Sequence, residues 1–292
     1  MFKWYRSAAI CYAYIEDLPK TIELPIADAS LVKGCRWFSK GWTLQELLAP
    51  RDIIFFGAGW FQIGRKAELE GILEQVTGIP RTVLSQKTRL DQVSVADRMN
   101  WASNRQTSRE EDIAYCLMGL FDVNMPMLYG EGRKSFIRLQ EEIIKQTQDD
   151  SVFAWRASQQ SAAEAPYRGL FASSPREFAS EDTITPFHTP KAGETNLLGN
   201  SRVSISCALH QDGVLCLKCF RGTDVSSVVG IEVTSTGSNH FLRSNPTSLT
   251  SRRHQSPAIF KTMIFEKFTE MTEPSSLDDI YRRDGIQLSR SA

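Results

Sequence analysis

The 292-residue chain has no surplus of charge of either sign: Lys and Arg together number 34, and so do Asp and Glu. A dedicated nucleic-acid or membrane-surface binder would carry a basic field, so this balance argues against both. No apolar stretch approaches the roughly 20 residues that span a bilayer. The opening MFKWYRSAAICYAYI is too short and too aromatic in its apolar run, and too charged on its flanks, for a secretory signal. Cysteine is sparse and scattered, at Cys11, Cys35, Cys116, Cys207, Cys216 and Cys219. No spacing suggests a disulfide framework, so reduced and mostly buried thiols in a cytoplasmic protein are expected. The four histidines, His188, His210, His240 and His254, all lie in the C-terminal half with no triad-like neighbours. Internal repeats are absent.

Other absences narrow the chemistry. Gly57-Ala58-Gly59 follows an apolar run, but no GxGxxG completes it and no Lys-Ser/Thr pair follows, so it reads as a strand-to-loop turn. Cys216-Leu-Lys-Cys219 lacks the second ligand pair that a zinc site needs. Its surroundings, VLCLKCF, read as one strand, in which residues three apart point to opposite faces, so no metal is expected.

What is present is ordinary globular material: 41% hydrophobic and 23% charged residues, enough for a sizeable core. FKWYRSA reads as a helix end before the short strand AAICYAYI. Residues 20–34 read as a loop. Trp42 to Leu48 has helical spacing and Pro50 stops it; the run Ile53-Ile54-Phe55-Phe56 then fits a buried parallel strand. Lys66 to Val76 places Leu69, Ile72, Leu73 and Val76 on one helical face, with Gly78 as C-cap. Ser94 with Asp97 and Thr107 with Glu110 have capping spacing, the second pair opening a helix through Ile113, Ala114, Leu117 and Leu120. Lys134 to Gln146 is an amphipathic helix.

The character changes near Asp149. Ser201–Leu209 alternates like a half-buried strand, and Asp212-Gly213 is a hairpin signal before VLCLKCF. SVVGIEV, NHFLRS and FKTMIFE read as further strands of an antiparallel domain. Residues 156–166 and 244–257 read as polar loops, and Ser276–Tyr281 as a short final helix.

Four long stretches resemble the fungal heterokaryon-incompatibility (HET) family: FKWYRSAAICYAYIEDLP, WFSKGWTLQELLAPRDIIFF, the run from DRMNWASNRQTSREEDIAYCLMGLF to QTQDDSVFAW, and GLFASSPREFA. Together they cover about residues 1–180. The remainder is similar in position to a region of unknown function that often follows HET domains. The resemblance implies vegetative incompatibility, in which fusion of unlike cells triggers programmed cell death. It also implies a TIR-like fold. The expected fold class is therefore mixed α/β and α+β. Residues 1–60 are expected to form a partial TIR-like unit, 61–148 a helical HET-associated segment, and 149–292 an antiparallel β-rich domain. The family pattern has an N-terminal half before the equivalent of MFKWYR, so a truncated domain without a complete active site is expected.

TIR proteins that cleave NAD carry a glutamate on a helix, four residues after a tryptophan. Trp42 and Glu46 stand at that spacing here, with Ser39 before them and IIFF after. The resemblance implies Glu46 as catalytic carboxylate, able to orient ribose hydroxyls and stabilise an oxocarbenium-like transition state. Trp42 would be a pocket wall and Ser39 the helix start. The residues themselves favour Glu46 as a solvent-facing helix residue or a first-turn carboxylate suited to the helix dipole, and Trp42 as core. Arg109-Glu110-Glu111-Asp112 reads as a charged first helical turn. Tyr129-Gly130-Glu131-Gly132-Arg133 reads as a turn tied to its neighbours by Glu131.

The function expected is incompatibility signalling through protein partners, among them other HET or TIR-like chains. The alternatives are an NAD glycohydrolase using Glu46 and a non-functional remnant. NAD enters only as a possible substrate; no cofactor, nucleic acid or membrane span is expected.

Overall fold

The computed structural model describes residues 1–18, 29–187, 197–199, 202–237, 239–253, 259–267 and 270–271. The predicted helix at Ser276–Tyr281 lies outside them. The chain divides into two compact units, one of Met1–Ile143 with Ser174–Ala179, the other of Ile144–Ser173 with Ser180–Ala292.

The first unit is built on a three-stranded mixed sheet. Helix α1 (Phe2–Ser7) leads into β1 (Cys11–Tyr14), and after α2 (Ser30–Lys33), α3 (Arg36–Ser39) and α4 (Thr43–Leu48) the chain enters β2 (Ile53–Phe56). Strands β1 and β2 run parallel, Cys11 opposite Ile53 and Tyr14 opposite Phe56. Strand β3 (Gln62–Arg65) then pairs antiparallel with β2, giving the order β1-β2-β3. Ala13, Ile53 and Phe55 point inward and are buried, as are Leu44, Leu47 and Leu48 of α4. The apolar run IIFF suggests burial on both faces, but burial alternates along β2 and leaves Ile54 and Phe56 half-buried. Phe56 is instead part of an aromatic cluster on the other face.

Helices α5 (Glu70–Thr77), α6 (Arg81–Leu84), α7 (Val95–Asn100), α8 (Asp112–Tyr115), α9 (Met118–Phe121) and most of α10 (Lys134–Gln146) complete this unit. Ser94 caps α7, its hydroxyl accepting the Asp97 N–H at 3.0 Å. Thr107 does not cap: its hydroxyl donates to the Arg109 carbonyl at 2.6 Å, and the helix begins only at Asp112. The single helix expected through Leu120 is two short ones, α8 and α9, the second closed by Asp122 in the left-handed region.

The second unit contains α11 (Gln159–Glu164) and strands β4 (Tyr167–Arg168), β5 (Ile184–Pro186), β6 (Leu197–Leu198), β7 (Arg202–Leu209), β8 (Val214–Cys216), β9 (Cys219–Arg221), β10 (Ser227–Gly237), β11 (His240–Arg243), β12 (Thr250–Arg253), β13 (Ile259–Glu266) and β14 (Glu270–Met271). Nine of the strands form one sheet, ordered β12-β10-β8-β7-β13-β11-β4-β14, with β6 beside β7. Because β10 also pairs with β11, the five strands β10, β8, β7, β13 and β11 close on themselves like a small barrel. Every pairing is antiparallel except β11 with β13. Gly213, at φ 80°, makes the turn between β7 and β8.

Three local expectations are corrected here. VLCLKCF is not one strand: it breaks at Leu217-Lys218, and β9 leaves to pair with β5 in a separate two-stranded sheet. The stretch 156–166 contains α11, whose first turn Ser158 caps through the Ser161 N–H at 3.1 Å. The stretch 244–257 contains β12, an edge strand on β10.

Candidate functional site

Helix α4 starts without Ser39. That residue ends α3 instead, its hydroxyl exposed and donating back to the Arg36 carbonyl at 3.0 Å. The expectation of Ser39 as a helix-start residue is therefore corrected. The turn into α4 is held from within by Thr43. Its hydroxyl accepts from Arg105 Nη1 at 2.9 Å and sits 2.8 Å from the Lys40 carbonyl, which the same guanidinium nitrogen reaches at 2.9 Å. Arg105 is buried, and desolvation pulls its pKa down to about 10.

Trp42 is the N-cap residue of α4 and half-buried. Glu46, one turn on, is half-buried too. Its carboxylate lies close to the Tyr5 phenol, whose pKa is raised to about 12 by burial and then by the charge of Glu46. Glu46 is thus engaged with α1. One cavity of this unit is lined by none of Ser39, Trp42 and Glu46.

That cavity, of about 420 Å³, opens among α1, the end of α4, α6, α7 and α9. Its volume falls within the range of small-molecule sites. Five cationic side chains line it, Lys3, Arg6, Arg51, Arg89 and Arg98, against the two carboxylates Asp91 and Asp122. Gln86, also in its wall and at φ 59°, turns its amide onto the carbonyls at and just past the end of α4, those of Leu48, Ala49 and Pro50, at 3.1–3.3 Å. This site has no signature in the sequence, because its cations come one or two at a time from distant segments of a chain with zero net charge.

A second constellation joins the two charged motifs. Glu111 Oε1 accepts the backbone N–H groups of Gly130 and Gly132 at 2.8 and 3.0 Å. Tyr115 donates to Glu131 at 2.9 Å, and Arg138 pairs with the same carboxylate at 3.2 Å. Arg109 stacks 4.5 Å from the Tyr129 ring centre, and Arg133 pairs with Glu110 at 3.2 Å. The REED segment is therefore a clasp on the YGEGR loop. Glu131 ties that loop down as the sequence suggests, while Glu111 is a tie that the sequence does not reveal.

Across the outer face of the sheet, Tyr14 stacks on Trp60 with ring centres 4.7 Å apart, and Phe56 lies 5.6 Å from Trp60 and 5.8 Å from Tyr12. Tyr12 and Trp60 are about two-thirds exposed, at 66% and 64%. Strand β1, which carries Tyr12 and Tyr14, is the edge of its sheet among the described residues. Such an edge with apolar cover is a template for pairing. Among the described residues no group of three or more His, Cys, Asp or Glu could hold a metal ion. Likewise, no helix is long and apolar enough to cross a membrane.

Comparison with known proteins adds two likenesses. Residues 134–202 match the model of a domain of unknown function, DUF8212. The chain is also similar to the vegetative incompatibility protein HET-E-1 of Podospora anserina, at 45% identity over 158 residues. That alignment covers 53% of this chain and 11% of the relative, so the chain spans about a tenth of the relative's length. No solved structure matches.

Proposed function

We propose that this chain acts in fungal vegetative incompatibility, as the HET part of a self/non-self recognition system that signals cell death through protein association. The observation that carries the reading is the 45% identity to HET-E-1 over 158 residues. In this reading the β1-β2-β3 sheet with its helices is the TIR-like unit, and the partners are other HET or TIR-like chains. Support for association comes from the exposed Tyr12, Tyr14 and Trp60 beside an edge strand, since apolar surface of this kind gains free energy when a partner covers it.

The enzymatic alternative, NAD cleavage by Glu46, is supported by the spacing to Trp42 and by the strand β2 that follows the helix. The closeness of Glu46 to Tyr5 of α1 favours a structural role for that carboxylate.

The test is expression in a fungal host, alone and with a full-length HET-domain partner, with growth and co-precipitation as readouts. Growth arrest and capture of the partner are expected, and both should be lost in a folded Tyr14→Asp/Trp60→Asp variant. Unchanged growth with no captured partner in every combination would overturn the association reading. A fall in cellular NAD that Glu46→Gln abolishes would replace it with the enzymatic one.

A further inference from the structure

The cavity between α1 and α9 has an unbalanced wall. Of its five cations, two are already engaged. Arg89 is ion-paired with Asp91 at 2.5 Å. Arg98, buried at 8% exposure, lies over the Phe121 ring at 4.5 Å and donates to the Leu120 carbonyl at 3.1 Å. Lys3, Arg6 and Arg51 differ: among the described residues none of their side chains makes an ion pair or a hydrogen bond. All three are exposed. Bringing like charges around one opening costs free energy unless water or a counter-charge relieves it.

One local source of relief is already spent. The C-terminal end of a helix carries partial negative charge. Here α4 ends in the cavity wall, at Leu48 and Ala49. The Gln86 amide takes up the carbonyls of Leu48, Ala49 and Pro50, and the Lys66 ammonium adds a 3.0 Å hydrogen bond to that of Pro50. Of the wall's two carboxylates Asp91 is held by Arg89, so Lys3, Arg6 and Arg51 outnumber the other, Asp122, by three to one. Phe2, Val83, Leu90 and Phe121 supply apolar side chains to the same wall.

We infer that this cavity binds a small anion that links a phosphate group to an aromatic ring, with Lys3, Arg6 and Arg51 receiving the phosphate and the ring seated against the apolar side chains of the wall. Guanidinium groups suit a phosphate because their planar forks donate two hydrogen bonds at once. A volume of about 420 Å³ accommodates a molecule of mononucleotide size. The inference goes beyond the association function and does not rest on it. The site is separate from Glu46 and implies binding, with no bond made or broken.

Titration calorimetry on the purified chain with three probes tests it: AMP for phosphate plus ring, inorganic pyrophosphate for phosphate charge alone, and adenosine for the ring alone. AMP is expected to bind more tightly than either other probe. A charged hydrogen bond is worth about 1.5–3 kcal/mol, so Arg6→Glu/Arg51→Glu should weaken AMP at least about tenfold. Lys33→Glu/Lys134→Glu makes the same charge change on exposed helix positions outside the cavity and should leave AMP affinity unaltered. The milder Arg6→Met, which keeps the apolar stem, should weaken AMP in part and guards against misfolding of the double variant. No binding of any probe by the folded wild-type chain overturns the inference. So does an equal loss in the cavity and control variants, which would mark a nonspecific charge effect, or AMP binding no tighter than pyrophosphate, which would remove the ring's part.

Discussion

Glu111 holds Gly132: one oxygen of its carboxylate takes the glycine's backbone N–H at 3.0 Å, and the same oxygen takes that of Gly130 at 2.8 Å. A carboxylate bonded in this way favours its charged form. The pKa of Glu111 is accordingly lowered, by its own backbone N–H first and then by those of Gly132 and Gly130. A lowered carboxylate pKa adds stability that is complete above the ordinary glutamate value near about 4.3 and fades as pH falls through the folded value. Glu111→Gln should lower the thermal midpoint at neutral pH and show a flatter loss of stability under acid than the wild type. Melting curves from pH 7 down to pH 3 check this, and parallel acid profiles for the two proteins would remove Glu111 from the clasp.

Lys66 is expected to show the opposite sign at the other end of the pH scale. It is 2% exposed, and its ammonium donates to the Pro50 carbonyl at 3.0 Å. Burial lowers its pKa to about 8, so the folded chain releases this proton earlier than the unfolded one does. Stability from this group therefore rises as pH climbs from about 8 towards its ordinary value near 10.5. At about 1.36 kcal/mol per unit, the gain between pH 8 and pH 9.5 is about 1–2 kcal/mol. Lys66→Met should lose that rise, and the wild-type minus variant difference in urea midpoints isolates it. A difference that stays constant across this range would show that Lys66 titrates normally.

Legibility in the sequence followed where apolar side chains signal burial. Helix α10 has the Lys134–Gln146 bounds that periodicity gives, because Phe136, Leu139 and Ile143 repeat at helical spacing and are all buried. The hairpin at Asp212-Gly213 was likewise readable from its turn chemistry. Helix α11 and strand β12 were not, because none of their side chains is buried and neither carries a periodic apolar signal. IIFF suggested a strand covered on both faces because four apolar residues in a row hide the alternation that aromatic packing on the outer face permits. The Glu46 site was legible as a spacing, but its Tyr5 partner depends on how α1 docks on α4, a relation between segments some forty residues apart. The cavity depends on five elements at once.

Gly119 marks a close approach. A Cβ placed there would lie 2.3 Å from the Cβ of Phe2, in the contact of α9 with α1. Gly119→Ala should cost about 1–3 kcal/mol, as over-packing does. Phe2→Gly added to it removes the opposing atom and should recover part of the loss beyond what the two single changes sum to. A double-mutant cycle of urea unfolding measures that coupling, and strict additivity would mean that α1 leaves α9 without cost.

Arg243 is fully buried, its guanidinium 3.8 Å from the Trp155 ring centre while it donates to the carbonyls of Phe153, at 3.1 Å, and Trp155. Trp155, also fully buried, spends its own N–H on the Leu170 carbonyl at 2.9 Å. One planar cation thus serves two buried carbonyls and an aromatic face. Replacing it by an apolar side chain leaves those carbonyls without this donor, at about 1–3 kcal/mol each. Arg243→Met should therefore lower the stability of the second unit by about 2–5 kcal/mol. Arg243→Lys should recover little, because an ammonium is a point donor that cannot span both carbonyls and lie flat on the ring. Urea unfolding followed by tryptophan fluorescence reads both variants. A lysine variant as stable as the wild type would mean that positive charge alone is sufficient and that the fork and the stacking contribute nothing.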